Sequence, residues 1–297
     1  MLRSRNLVRY LAGTLSAMAL AALVASLSST AQIALVRRQM AERDGAALEY
    51  GERGTRPAIV MVASLGCGAE DFDNLAIRLS DRGFRIICPE PRGIGHSAAP
   101  PAMATLHDYA ADVAAIVAKS GAGPVVVLGH AYGNTVARTL AADRPDLVRG
   151  VVLVTASGRA PLSDEVKRTI ARSSDLSIPD AERVKYLATG YFAPGNDASV
   201  WLGGWHPVTQ AAQFKAFNAT KVDDYIAAGG QVPVLDIQGT DDVIIPRQYS
   251  KDLQNELGPR VTLVVIPNAG HAMLPEQPAA VEAAILSWMV ALPQAAK

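Results

Sequence analysis

One stretch, Val125-Val126-Val127-Leu128-Gly129-His130-Ala131-Tyr132-Gly133-Asn134, constrains this chain more than any other. Four consecutive apolar residues read as a strand covered on both faces. The apolar spacing of Val136, Ala137, Leu140 and Ala141 reads as a helix. Between the two, Gly129 and Gly133 bracket three residues, so strand and helix meet across a sharp turn. Glycine suits both brackets because the two backbones come too close there for a Cβ. This is the pattern of a nucleophile elbow, which holds one side chain at the top of a sheet on a strained turn. In the G-x-S-x-G form the middle residue is Ser. Here it is Ala131, and a methyl group attacks nothing.

The rest of the chain continues the alternation of strand and helix. Residues 46–51, 59–63, 85–88, 151–154, 232–237 and 261–266 read as strands. A helix carrying Phe72, Leu75, Ile77 and Leu79 opens on Glu70, Asp71 and Asp73, which suit a helix N-terminus. Another begins at Thr105 with Asp108 three residues on, a capping-box pattern. A last one carries Val281, Ala284, Ile285 and Trp288, and residues 32–43 read as a linker or short helix. The rhythm stops over residues 159–230, which read as helices and loops and hold Trp201, Trp205, Tyr186, Tyr191, Phe192, Phe214 and Phe217. Alternating apolar strands and helices imply the α/β class, a mainly parallel sheet flanked by helices. The expected layout is a leader over residues 1–31, a core in two parts over 32–158 and 231–297, and a helical insertion over 159–230.

Length and charge narrow the function classes. A chain of 297 residues is long enough for one large α/β domain with an insertion, or for two small domains. Lys plus Arg equals Asp plus Glu at 28 each, so no basic surplus exists to neutralise phosphates, and nucleic acid is not an expected partner. Arg3, Arg5 and Arg9 precede an apolar run over residues 11–27, followed by the small residues Ser29-Thr30-Ala31. That is a signal-peptide pattern and implies an exported, periplasmic or secreted protein. The alternative is an uncleaved anchor helix, the one expected membrane contact. Cleavage after Ala31 removes three of the 28 basic residues and no acidic one, leaving 25 against 28. Cys67 and Cys88 read as two small buried residues or, in an exported chain, as a disulfide.

Two later loops hold the remaining polar candidates, Gly239-Thr240-Asp241-Asp242 and Asn268-Ala269-Gly270-His271. Turn residue, acid, histidine is the chain order of hydrolases built on such an elbow. A carboxylate at Asp242 would hold the His271 ring and stabilise its charged form, with His271 as general base. The plainer reading is a buried hydrogen-bonded pair. His130 reads as packing beside the turn, His96 and His107 as loop or surface residues, and His206 as a neighbour of Trp205. Ser64 and Cys67 are other possible nucleophiles near the turn, although a thiol needs a lowered pKa for that role. Trp201 and Trp205 read as substrate-binding residues or as core of the insertion. No cluster has metal-ligand spacing and no glycine-rich loop fits a phosphate or dinucleotide, so neither metal nor cofactor is expected.

From about residue 46 to residue 292 the chain resembles the α/β-hydrolase family. The resemblance rests on Pro89-Glu90-Pro91-Arg92-Gly93-Ile94-Gly95-His96-Ser97, on Gly129 to Gly133, on Gly239 to Asp242 and on Gly270-His271. It implies that residues 159–230 form a cap over the pocket, and that Asp242 rather than Asp241 is the acid. It also implies an oxyanion hole made by the backbone N–H groups of Leu65 or Gly66 and of Tyr132. Two positions depart from the family, Ser64-Leu65 where His-Gly is usual and Ala131 at the nucleophile position. The implied function is an enzyme acting on a small, mostly apolar organic substrate such as an ester, a lactone or a C–C bond substrate. The alternative is a pseudo-hydrolase that binds a small ligand without converting it.

Overall fold

Apolar runs decide the architecture. Strands β3 (Ala58–Val62), β5 (Val125–His130) and β7 (Val234–Gly239) are buried along their whole length, as strands covered on both faces must be. With β1 (Arg37–Arg43), β2 (Ala46–Arg53), β4 (Arg85–Pro89), β6 (Val148–Val154) and β8 (Val261–Ile266) they form an eight-stranded sheet in the order β1-β2-β4-β3-β5-β6-β7-β8. β2 is antiparallel to β4, and each pairing from β4 across to β8 is parallel. The α/β class and the mainly parallel sheet expected from the alternation are the fold observed. This computed structural model describes residues 37–55, 57–101, 104–159 and 161–292. The expected leader, residues 1–31, lies outside them. Among the described residues no helix is long and apolar enough to cross a membrane.

Successive strand side chains point to opposite faces, and each face has its own helices. On one side Val125 and Val127 pack with Val60 and Val151 against Leu106, Ile116, Val136 and Leu140. Those come from α2 (Leu106–Ser120) and α3 (Gly133–Asp143). On the other side Val126 and Leu128 pack with Ile59, Met61 and Val152 against Phe72, Leu75, Leu79, Val281, Ile285 and Trp288. Most of these come from α1 (Asp73–Asp81) and α10 (Pro278–Ala291). The capping box at Thr105 is present, with the Thr105 N–H donating to Asp108 Oδ2 at 2.8 Å. The loop after β4 is fixed by a buried bidentate pair, Arg92 Nε and Nη2 to Asp112 at 2.6 and 2.8 Å.

Between β6 and β7 lie α4 (Asp164–Ser174), α5 (Asp180–Gly190), a 3-10 turn (Ala198–Trp201), α6 (Pro207–Ala219) and the short α7 (Val222–Tyr225). Two further short helices, α8 (Asp252–Leu257) and α9 (Met273–Glu276), flank β8.

One expectation is corrected. Residues 37–43, read as linker or short helix, form the edge strand β1. The cause is the Asp44-Gly45 turn, with φ of +54° and +76°, which folds β1 back beside β2. Asp-Gly with both residues left-handed is the preferred two-residue hairpin turn. Cys67 and Cys88 are free, buried thiols, and no disulfide joins them. Both pack in one apolar cluster, and burial pushes both thiols above their ordinary pKa.

Candidate active site

In a parallel sheet the loops following the strands gather at one edge, where ligands bind in folds of this kind. The loops after β3, β5, β7 and β8 meet there, and each carries one of the candidate groups.

The turn after β5 is as tight as its glycines imply. A Cβ on Gly129 would lie 2.4 Å from the Gly133 carbonyl carbon, and one on Gly133 would lie 2.1 Å from the Val62 oxygen. Ala131 itself has φ of +48°, in the left-handed region that a residue with a Cβ occupies only at a cost. Its N–H donates to the Val154 carbonyl at 3.1 Å, and its carbonyl accepts from the Asn134 N–H at 3.0 Å. Asn134, fully buried, clamps the turn to β6: Nδ2 donates to the Val154 carbonyl at 2.8 Å and Oδ1 accepts from the Val154 N–H at 3.2 Å. The surroundings therefore hold a strained backbone around a side chain with no reactive atom.

The acid and the histidine meet. His271 Nδ1 lies 2.9 Å from Asp242 Oδ2, and both residues are buried. The other oxygen, Asp242 Oδ1, accepts from the N–H groups of Ile244 and Ile245 at 2.9 and 2.8 Å. Acceptor-only carboxylate chemistry gives Nδ1 the proton and leaves Nε2 as the basic nitrogen. Among the described residues Nε2 of His271 has no hydrogen-bond partner. Asp241, the neighbouring acid, points elsewhere and accepts from Thr240 Oγ1 at 2.6 Å.

His130 ties the turn to this pair. Its Nε2 lies 3.0 Å from the His271 carbonyl, and the two rings are 5.8 Å apart. A carbonyl only accepts, so Nε2 carries the proton and the buried Nδ1 is bare. Burial, reinforced by the neighbouring His271 ring, pushes His130 down to about 4, so it is neutral at physiological pH.

The oxyanion candidates separate. The Tyr132 N–H, first residue past the turn, has no acceptor among the described residues. The Gly66 N–H is already committed to Gln213 Oε1 at 2.7 Å, and the Gly66 carbonyl accepts from the His206 N–H at 2.8 Å. Of Leu65 and Gly66, the Leu65 amide is thus the one free to meet a ligand. Cys67, buried beside this loop and close to Asp71, has a thiol held well above its ordinary pKa, chiefly by burial. It carries no thiolate.

Trp201 and Trp205 sit in an aromatic cluster over the histidines. The Trp201 ring is 6.0 Å from His130, 5.6 Å from Tyr191 and 5.4 Å from Phe192. Trp205 lies 6.3 Å from Trp201 and donates Nε1–H to its carbonyl at 2.6 Å. Tyr191, ring to ring, is 5.8 Å from His271. Among the described residues no group of His, Cys, Asp and Glu is arranged to hold a metal ion. Sequence reasoning missed Asn134, Gln213 and Tyr191 as site residues. Their partners lie 20 to 147 residues away, and no local pattern announces such contacts.

An elbow, an acid and a histidine on the loops after β5, β7 and β8, at one edge of such a sheet, define a class. Residues 59–284 match the Alpha/beta hydrolase family, and the chain belongs to it. The chain is 30% identical over 269 residues to a non-heme haloperoxidase of Rhodococcus erythropolis, covering 83% of this chain and 97% of that protein. It is 28% identical over 238 residues to the 2-(acetamidomethylene)succinate hydrolase of Mesorhizobium japonicum, covering 75% and 84%. Among solved structures, a thermophilic esterase from Thermogutta terrifontis matches with a TM-score of 0.69 at 25% identity, over 86% of this chain and 98% of that one.

Proposed function

We propose that the chain is a hydrolase-type enzyme for a small, mostly apolar organic substrate with an electrophilic carbonyl, an ester, a lactone or a diketone. His271 is the general base, oriented by Asp242, and the amides of Leu65 and Tyr132 receive the developing oxyanion. Ala131 holds the place of the nucleophile. With no side chain to form a covalent intermediate, His271 Nε2 takes a proton from water, and the water oxygen attacks the carbonyl directly. The proton then passes to the leaving group. Residues 159–230 act as a cap, and the Trp201 and Trp205 cluster supplies its apolar underside.

The observation that carries this reading is the Asp242–His271 bond of 2.9 Å, with the second carboxylate oxygen held by two backbone amides. A buried carboxylate is costly to keep unless it is well bonded, and here both oxygens of the acid are engaged. The methyl of Ala131 favours a second reading, a pocket that binds such a molecule and leaves it intact.

Supplying the absent hydroxyl tests the nucleophile assignment. Ala131→Ser should gain hydrolysis of short p-nitrophenyl esters and covalent labelling by a serine-directed phosphonate. A folded variant that is neither labelled nor active would refute it. Binding of a substrate analogue by the natural chain, with no conversion after days, would favour the second reading.

A further inference from the structure

Glu276, the last residue of α9, takes hydrogen bonds from two separate segments. Its Oε1 accepts from the Ala193 N–H at 2.5 Å and from Asn196 Nδ2 at 2.9 Å. Its Oε2 accepts from the Gly270 N–H at 2.7 Å. Ala193 and Asn196 belong to the stretch following α5, while Gly270 immediately precedes His271. The same stretch carries Tyr191, whose ring faces His271 and whose carbonyl accepts from the Ala272 N–H at 2.8 Å. Residues on both sides of His271 are therefore bonded, one to Glu276 and the other to Tyr191.

Only an ionised carboxylate suits this place. It accepts at both oxygens and donates at neither, and three N–H donors converge on it. An amide would present its own N–H₂ to one of them. The groups facing Glu276 from the acid loop are Asp241 and Asp242, and residues 191–196 bring no charge. Burial raises the Glu276 pKa, and its bonds to Ala193 and Gly270 oppose that rise.

We infer that Glu276 is a further positioning residue of the base: it fixes Gly270, and through it His271, against the stretch 191–196, whose Tyr191 ring lies beside the imidazole. Its two oxygens divide the work. Oε2 holds the base loop and Oε1 holds the cover. The role of His271 as base rests on the function proposed above.

Amide hydrogen exchange, together with the downfield proton resonance of His271 Nδ1–H, tests this on the full chain and on Glu276→Gln and Glu276→Ala. In Glu276→Gln the retained oxygen serves the two donors from 193 and 196, and the new N–H₂ faces Gly270. Exchange at Gly270 should quicken about tenfold or more, with Ala193 still protected. The His271 Nδ1–H signal should shift or broaden. Glu276→Ala should release both amides; should it fail to fold, Glu276→Gln decides alone. Unchanged exchange at Gly270, or altered exchange with an unmoved His271 resonance, would overturn the inference. Neither readout needs a substrate, so failure here is distinct from failure of the proposed activity.

Discussion

The imidazole of His130 donates to the backbone carbonyl of His271 at 3.0 Å, across 141 residues of chain. The residue before the strained turn thus holds the loop that presents the second histidine. Burial keeps the His130 ring neutral down to about pH 4, against an unfolded value near 6.5. A histidine with a lowered native pKa contributes stability above pH 6.5 and loses it as pH falls towards 4. Ring ¹⁵N shifts should report the Nε2–H tautomer throughout that window. His130→Ala should lower stability by ~1–3 kcal/mol at pH 7, measured by urea unfolding.

Asp242→Asn should preserve the fold and impair the histidine. Asn keeps an oxygen for the Ile244 and Ile245 amides but turns an N–H₂ towards His271 Nδ1. The ring must then carry its proton on Nε2, the wrong nitrogen for a base. In the esterase-competent Ala131→Ser background kcat should fall by roughly 10²–10⁴, with KM little changed. Equal kcat would argue that the carboxylate does not orient the ring.

A buried acid elsewhere sets a pH dependence of opposite sign. Asp236, on β7, bonds Gln238 Nε2 at 2.7 Å, while its Oδ2 has no partner among the described residues. Burial outweighs that bond and the attraction of Arg138 and raises its pKa from 3.8 to about 7. The native state therefore holds a proton that the unfolded chain has released, and stability falls as pH rises from about 4 to 7. Asp236→Asn should stabilise the protein at pH 8, by an amount on the order of 4 kcal/mol at most, and hardly at pH 4. The difference in Tm between variant and wild type across that range is the check. A variant less stable at pH 8 would contradict it.

Gly133→Ala places a methyl carbon 2.1 Å from the carbonyl oxygen of Val62, the last residue of β3, and 2.7 Å from that of Ala63. Overpacking of this kind should cost ~3 kcal/mol or more. Circular dichroism melts should show a large drop in Tm or no folded protein. Mild destabilisation would mean that α3 can slide away from β3, against the tight turn described.

What could be read from the chain in advance was whatever local pattern encodes. The buried strands announced themselves as apolar runs, and Gly129 and Gly133 announced the approach of β5 and α3. Asp242 and His271 were legible because each closes a short glycine-containing loop after a strand. The hairpin of β1 was legible too, in Asp44-Gly45, and was missed because the polar residues of β1 lack an apolar stripe. Other contacts leave no local trace. Gln213 reaches the Gly66 amide from α6, and Glu276 reaches Ala193 from α9. Only the folded topology brings such pairs together, so the disposal of the Gly66 N–H was beyond sequence pattern.

The most direct test of the proposed activity is a comparison of turnover by the natural chain and by His271→Ala on a panel of short esters, lactones and diketones. At least one substrate should be converted by the natural chain, at a rate that falls by ~10²-fold or more in His271→Ala. The same rate in both proteins, for every substrate converted, would contradict the assignment of His271 as the base.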